Sequence, residues 1–265
     1  MERISSIQNP RIKNISKLAT KARERKEQNL FIIEGARELS LAIEGNYVFD
    51  SVYVCKELFG KSDYPQVLQS ISPDKIYEVS EAVFQKIAYR EGSDGILALA
   101  RPKDHRLDCL SLSEAPFIIL LEAVEKPGNL GAILRTADAA KADAVIVCDP
   151  LTDIYNPNVI RSSVGCLFTV QVGVASNQET LEYLQKNHIQ SFAAELTAAQ
   201  WYQDMIYTGP SGIIMGTEAD GLTGFWLKNA DHRIKIPMRG SIDSLNVSVS
   251  TAIITFEAMR QRKFI

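Results

Sequence analysis

Toward the end of this chain, small hydroxyl, carboxylate and amide side chains crowd into one short run. Ser241, Asp243, Ser244, Asn246 and Ser248 all fall within residues 236–248. An apolar, strand-like approach precedes the run and an apolar, helix-like segment over residues 249–259 follows it. A polar group withdrawn from water costs about 1–3 kcal/mol unless it finds a partner. A run expected between two buried elements is therefore either a tight structural turn or a cradle for a ligand. Ser244 or Asn246 can cap the following helix, whose expected stripe is Val249, Ala252, Ile253, Phe256 and Met259. Capping accounts for one of these polar residues and leaves the others unexplained.

Two further stretches carry groups suited to chemistry. Within residues 125–137, Asn129 is placed to cap a helix over 129–140, and Leu130, Ile133, Leu134 and Ala137 form its buried stripe. Arg135 lies off that stripe among the small neighbours Gly131, Ala132 and Ala139, so a phosphate or ribose can approach its guanidinium. The plainer reading is a surface pair with Asp138, which contributes only about a few tenths of a kcal/mol. Within residues 213–222, Gly216 permits a close backbone approach and Gly221 can take the positive φ that ends a turn. Glu218 directly follows an apolar strand, where a carboxylate needs a hydrogen-bond partner or a cation.

The elements that must position these loops alternate along the chain. Residues 31–35, 52–54, 75–79 and 96–100 read as strands, with helical spacing over 37–43 and 65–72, which makes a small α/β unit over residues 1–101. Residues 102–115, polar and flanked by Pro102 and Pro116, read as a linker. From residue 116 to 265, apolar strands at 117–121, 144–148, 189–192, 213–215 and 234–236 alternate with helical patterns. Continuous apolar strands interleaved with helices indicate a parallel sheet covered on both faces, with ligands at the carboxyl ends of the strands. All three chemically suggestive loops leave a strand at that end.

Composition narrows the function classes. Hydrophobic residues at 46 % and charged residues at 23 % fit a soluble globular protein, and no apolar stretch approaches a bilayer span. The first residues have no signal-peptide core, and four scattered cysteines without CxxC spacing suit reduced thiols in the cytoplasm. No metal-ligand pattern is present, and neither the dinucleotide fingerprint, the P-loop nor HExxH occurs. The net charge of −3 conceals a basic start: residues 1–30 hold eight Lys or Arg against three acids. Such a cluster is either a solvated helix face or a local contact for a polyanion.

Taken in order, the loops resemble the three motifs of the SpoU (TrmH-like) ribose methyltransferases of the SPOUT superfamily. Residues 129–137 are similar to the first motif, Gly216-Thr217-Glu218 with Gly221-Leu222 to the second, and Ile236-Pro237-Met238 with Ser244-Leu245-Asn246-Val247-Ser248 to the third. Asn156-Pro157 with Arg161-Ser162-Ser163-Val164-Gly165 matches the segment between the first two. The resemblance covers residues 116 to the C-terminus, and a softer one links the first hundred residues to the family's substrate-binding domain. It implies an α/β domain whose C-terminal chain forms a deep trefoil knot, a feature no periodicity can show. It implies S-adenosylmethionine held by backbone at Gly216, Ile236 and Leu245, a homodimer, and methylation of a ribose 2′-hydroxyl in structured RNA. Ribosomal RNA is expected ahead of transfer RNA, and a non-catalytic RNA-binding or ribosome-assembly protein on the same fold is the alternative. Arg135 would act as base or as electrostatic stabiliser, with Asn129, Glu218, Ser244 and Asn246 positioning it and the ribose. The basic segment from Arg3 to Lys26 would meet RNA phosphates. Ala219 and Lys141 depart from positions where the family commonly has glycine, and Thr251 from one where it has alanine.

Overall fold

Strands form where the apolar runs predict them. A computed structural model describes residues 2–59, 64–90, 92–217 and 220–264. The chain divides into two compact units, Met1–Lys103 with Asp153–Thr169, and Asp104–Thr152 with Val170–Ile265.

The first unit is built on β1 (Glu2–Ile4), β2 (Phe31–Glu34), β3 (Phe49–Val54), β4 (Ile76–Val79) and β5 (Ile96–Ala100), in the mixed order β1-β4-β3-β5-β2. Its first helices are α1 (Pro10–Thr20) and α2 (Ala22–Gln28), followed by α3 (Ala36–Glu44), α4 (Tyr64–Gln69) and α5 (Glu81–Ile87). Asn9 caps α1 by accepting from the Arg11 N–H at 2.9 Å, and Pro10 fills the first turn, where its missing N–H costs nothing. Ile12, Ile15 and Leu18 form a buried stripe against the sheet. The basic segment is thus a helix pair with an inward face, and its cations divide. Arg25 is 5 % exposed, donating from Nε to Asp153 Oδ2 and from Nη1 to the Leu18 carbonyl, both at 2.6 Å. This corrects the expectation that the whole segment faces RNA. Burial makes Arg25 a structural tie, whereas Lys13, Lys17, Lys21 and Lys26 are exposed and form no ion pair among the described residues.

The second unit holds β6 (Phe117–Glu122), α6 (Pro127–Ala140) and β7 (Ala144–Cys148). After β7 the chain departs for residues 153–169, which carry α7 (Pro157–Ser163) and pack within the first unit, where Tyr155 meets Phe31 at 4.2 Å between ring centroids. The second unit resumes with β8 (Val172–Ala175), α8 (Asn177–Lys186), β9 (Gln190–Ala194), β10 (Gln200–Trp201), β11 (Ser211–Met215), α9 (Gly224–Asn229), β12 (His232–Lys235) and α10 (Val247–Gln261). Its seven strands are parallel throughout, in the order β10-β12-β9-β11-β6-β7-β8, as the continuous apolar runs require. Ile118, Leu120, Ile146 and Ile214 face α8 and α9, and alternate residues face the side of α6 and α10.

Residues 104–115, expected within a linker, are instead built into this unit. The Val174 N–H donates to the His105 carbonyl at 2.8 Å, which occupies the outer edge of β8 and protects an otherwise open ladder. At the other end Arg262 donates to the carbonyls of Tyr207, Gly209 and Ala115 at 2.6–2.8 Å, tying the end of α10 to the chain entering β11 and β6. No described helix is long and apolar enough to cross a membrane.

Candidate active site

Because the sheet is all parallel, the loops after β6, β9, β11 and β12 emerge at one edge. Pro127 starts α6 a half-turn before the expected boundary, with Lys126 as the N-cap residue. Asn129 is therefore not a cap. It sits in the first turn, where its Oδ1 accepts from Asn246 Nδ2 at 3.3 Å. Asn246 is the true cap of α10: its Oδ1 accepts from the Ser248 N–H at 2.9 Å and the Ser248 hydroxyl at 2.6 Å. The two asparagines, far apart in sequence, thus join the starts of two long helices, whose positive dipole ends favour negative charge at this point.

Beside the bridge lies a cavity of about 510 Å³, within the range of small-molecule sites. Gly216, Ile236, Ser244 and Leu245 all line it. Gly216 is demanded by the fold itself, because a Cβ there would collide with the backbone of Gly221 and Leu222. Gly221 takes φ +69° and exchanges two backbone hydrogen bonds with Thr217, at 3.0 and 3.1 Å. The loop after β9, which sequence reasoning passed over, supplies Glu195, Leu196 and Thr197 to the wall. The signal for it was present, since Glu-Leu-Thr follows an apolar strand at the ligand-bearing edge. Partial burial of Glu195 opposes its ionisation, but hydrogen bonds from Thr197 and Arg233 outweigh that and hold it below the usual carboxylate range. Burial pushes the Cys148 thiol up to about 12, which removes it as a nucleophile.

The remaining predicted residues divide. Ser244 is exposed at the cavity rim and donates to Asp243 Oδ1 at 3.3 Å. Arg135 is exposed on α6, about 9 Å along the helix from Asn129. In this single chain it is not gathered to the asparagine bridge. Glu218 lies outside the described residues, as does Ala219. The polar run itself is corrected: Ser241, Asp243, Ser244 and Asn246 are exposed rather than buried, so water solvates them. The α10 stripe is also corrected. Val247, Thr251, Ile254, Thr255, Ala258 and Met259 face inward, whereas Val249 and Phe256 are 47 % and 41 % exposed.

The profile of the SpoU rRNA Methylase family matches residues 116–256, the span that builds this cavity and the asparagine bridge. The chain belongs to that family. An MRM3-like substrate binding domain matches residues 9–98, within the first unit. Among relatives of this SpoU protein, the 23S rRNA (guanosine(2553)-2′-O)-methyltransferase RlmP of Bacillus subtilis is 29 % identical over 97 % of this chain and 98 % of its own. A 23S rRNA (uridine(2479)-2′-O)-methyltransferase of Streptomyces viridochromogenes is 27 % identical over 98 % and 92 %. A solved RNA 2′-O ribose methyltransferase superposes with TM-score 0.84 at 38 % identity, covering 98 % of this chain and 99 % of that one. An AdoMet-bound rRNA methyltransferase from Sinorhizobium meliloti gives TM-score 0.89 at 26 % identity, covering 98 % and 97 %.

Lys141, one of the noted departures, now has a physical reading. It closes α6 with φ +52°, a left-handed position that suits glycine and strains a side chain by roughly 1–2 kcal/mol.

Proposed function

We propose that this chain methylates a ribose 2′-hydroxyl of ribosomal RNA with S-adenosylmethionine as donor. The observation that carries the reading is the conjunction, in a SpoU family member, of the cavity lined by Gly216, Ile236 and Leu245 with the Asn129–Asn246 bridge beside it. The cavity suits the cofactor in size, and the side-chain-free Gly216 and the backbone at Ile236 and Leu245 offer amide and carbonyl groups to its adenosine. When bound there, S-adenosylmethionine supplies an electrophilic methyl group on a sulfonium sulfur.

The chain's own residues have to orient the hydroxyl and lower the cost of its deprotonation. Asn129 and Asn246 offer amide groups that can hold a ribose, and Ser244 stands at the cavity rim to assist. The converging N-termini of α6 and α10 stabilise negative charge as the hydroxyl proton leaves. A guanidinium is protonated across the physiological range. The exposed position of Arg135, with no ion pair among the described residues, therefore favours an electrostatic role over a literal base. Glu218 would help position these groups.

A homodimer through the outer face of α10 would cover Val249 and Phe256 and desolvate the neighbourhood of α6, strengthening the Arg135 field. The C-terminal chain would thread as the trefoil knot of the superfamily. Residues 1–101 would bind RNA, with the exposed Lys13, Lys17, Lys21 and Lys26 meeting phosphates, and the reaction would take place in the cytoplasm.

Incubation with methyl-labelled S-adenosylmethionine and protein-free 23S ribosomal RNA tests the proposal. The expected product is a single 2′-O-methylated nucleotide. Label entering transfer RNA alone would reassign the substrate, and no transfer to either RNA despite cofactor binding would favour a non-catalytic RNA-binding protein.

A further inference from the structure

A buried carboxylate that does not line the cavity stands at the carboxyl end of β6. Glu122 is 1 % exposed, a costly place for a carboxylate unless every lone pair is used. Its Oε1 accepts from Asn177 Nδ2 at 2.7 Å and from the Thr223 hydroxyl at 2.6 Å, and its Oε2 accepts from the Thr223 N–H at 2.8 Å. Asn177 in turn accepts at Oδ1 from Trp226 Nε1 at 2.6 Å. The chain of roles has one direction. An indole N–H only donates, so the fully buried Trp226 must face the oxygen of Asn177. That turns the Asn177 amide NH₂ toward residue 122, which must then be an acceptor. The Thr223 backbone N–H demands a second acceptor, and only a carboxylate presents acceptors at both positions.

Thr223 stands next in the chain to Gly221 and Leu222, which line the neighbouring cavity. The backbone of Gly221 and Leu222 lies directly against Gly216. Displacing Thr223 displaces these three wall residues together. We propose that Glu122 is a positioning residue for the cofactor: its carboxylate, kept as a pure acceptor by Asn177 and Trp226, sets the backbone of Gly216, Gly221 and Leu222. This rests on the reading of the cavity as the cofactor site.

Isothermal calorimetry with S-adenosylmethionine tests it, with thermal melting confirming that each variant is folded. Glu122→Gln places an NH₂ against a donor and should weaken cofactor binding about tenfold, leaving kcat at saturating cofactor and affinity for 23S ribosomal RNA nearly unchanged. Adding Asn177→Asp supplies an acceptor for both the indole and the new amide, and should restore most of the affinity. Trp226→Phe with Glu122→Gln provides a second rescue, since it frees Asn177 to turn its oxygen inward. Wild-type affinity in Glu122→Gln overturns the proposal, as does a weakened Glu122→Gln that neither partner change improves. A wild-type protein that binds no S-adenosylmethionine would instead overturn the cofactor reading itself.

Discussion

Two polar clusters at the same edge of the second sheet meet water in opposite ways. Around Glu122, three donors converge on one buried carboxylate, and every partner comes from within the fold. In the run from Ser241 to Asn246 the polar side chains are exposed, and among the described residues Ser244 hydrogen-bonds its neighbour Asp243. The first cluster makes geometry, because removing any member leaves a buried group without a partner. The second is free to exchange water for a ligand. A polar residue's place in such a pair of clusters tells whether its loss should appear first in stability and in the backbone it holds, or directly in the chemistry.

The sharpest challenge to this contrast is Arg135→Ala. As an exposed residue with no ion pair among the described residues, it should change melting little while methyl transfer falls by roughly 10²–10³-fold with cofactor binding retained. Near-normal turnover would remove Arg135 from the chemistry. At the buried cluster, Glu122→Ala should destabilise by about 3 kcal/mol in urea unfolding, against less than about 0.5 kcal/mol for Ser241→Ala. Equal effects would dissolve the distinction. Replacing Lys13, Lys17 and Lys21 together with Glu should leave stability nearly unchanged and flatten the salt dependence of RNA binding by about three in slope. An unaltered slope would place RNA elsewhere. The smallest effect is expected at Lys141, where Glycine removes left-handed strain: Lys141→Gly should gain up to about 1 kcal/mol without altering activity.

Several features were legible before any coordinates. The α6 stripe of Leu130, Ile133, Leu134 and Ala137 is buried as its spacing predicts, and the continuous apolar strands pair in parallel. The α10 stripe misled because apolar residues occupy both sides of that helix. Spacing selected Val249 and Phe256, which face outward, while Thr251 and Thr255 face inward. Thr251 manages burial by donating its hydroxyl to the Val247 carbonyl at 2.7 Å, a local bond that hydrophobicity alone does not anticipate. Asn129 was misplaced as a cap because Pro127 begins the helix earlier.

The sequence by itself determined the alternation of strand and helix and the ligand-bearing edge, which follow from local periodicity and turn chemistry, and the order of its three motifs carried the resemblance that singled out Asn129, Gly216, Ile236, Ser244, Leu245 and Asn246. Only the tertiary structure decided that Asn129 meets Asn246, that Gly216 must lack a side chain to pass Gly221, and that position 122 must present acceptors to both Asn177 and Thr223. Each of these depends on partners distant along the chain, and a sheet that places β11 between β9 and β6 creates contacts that no window of sequence contains.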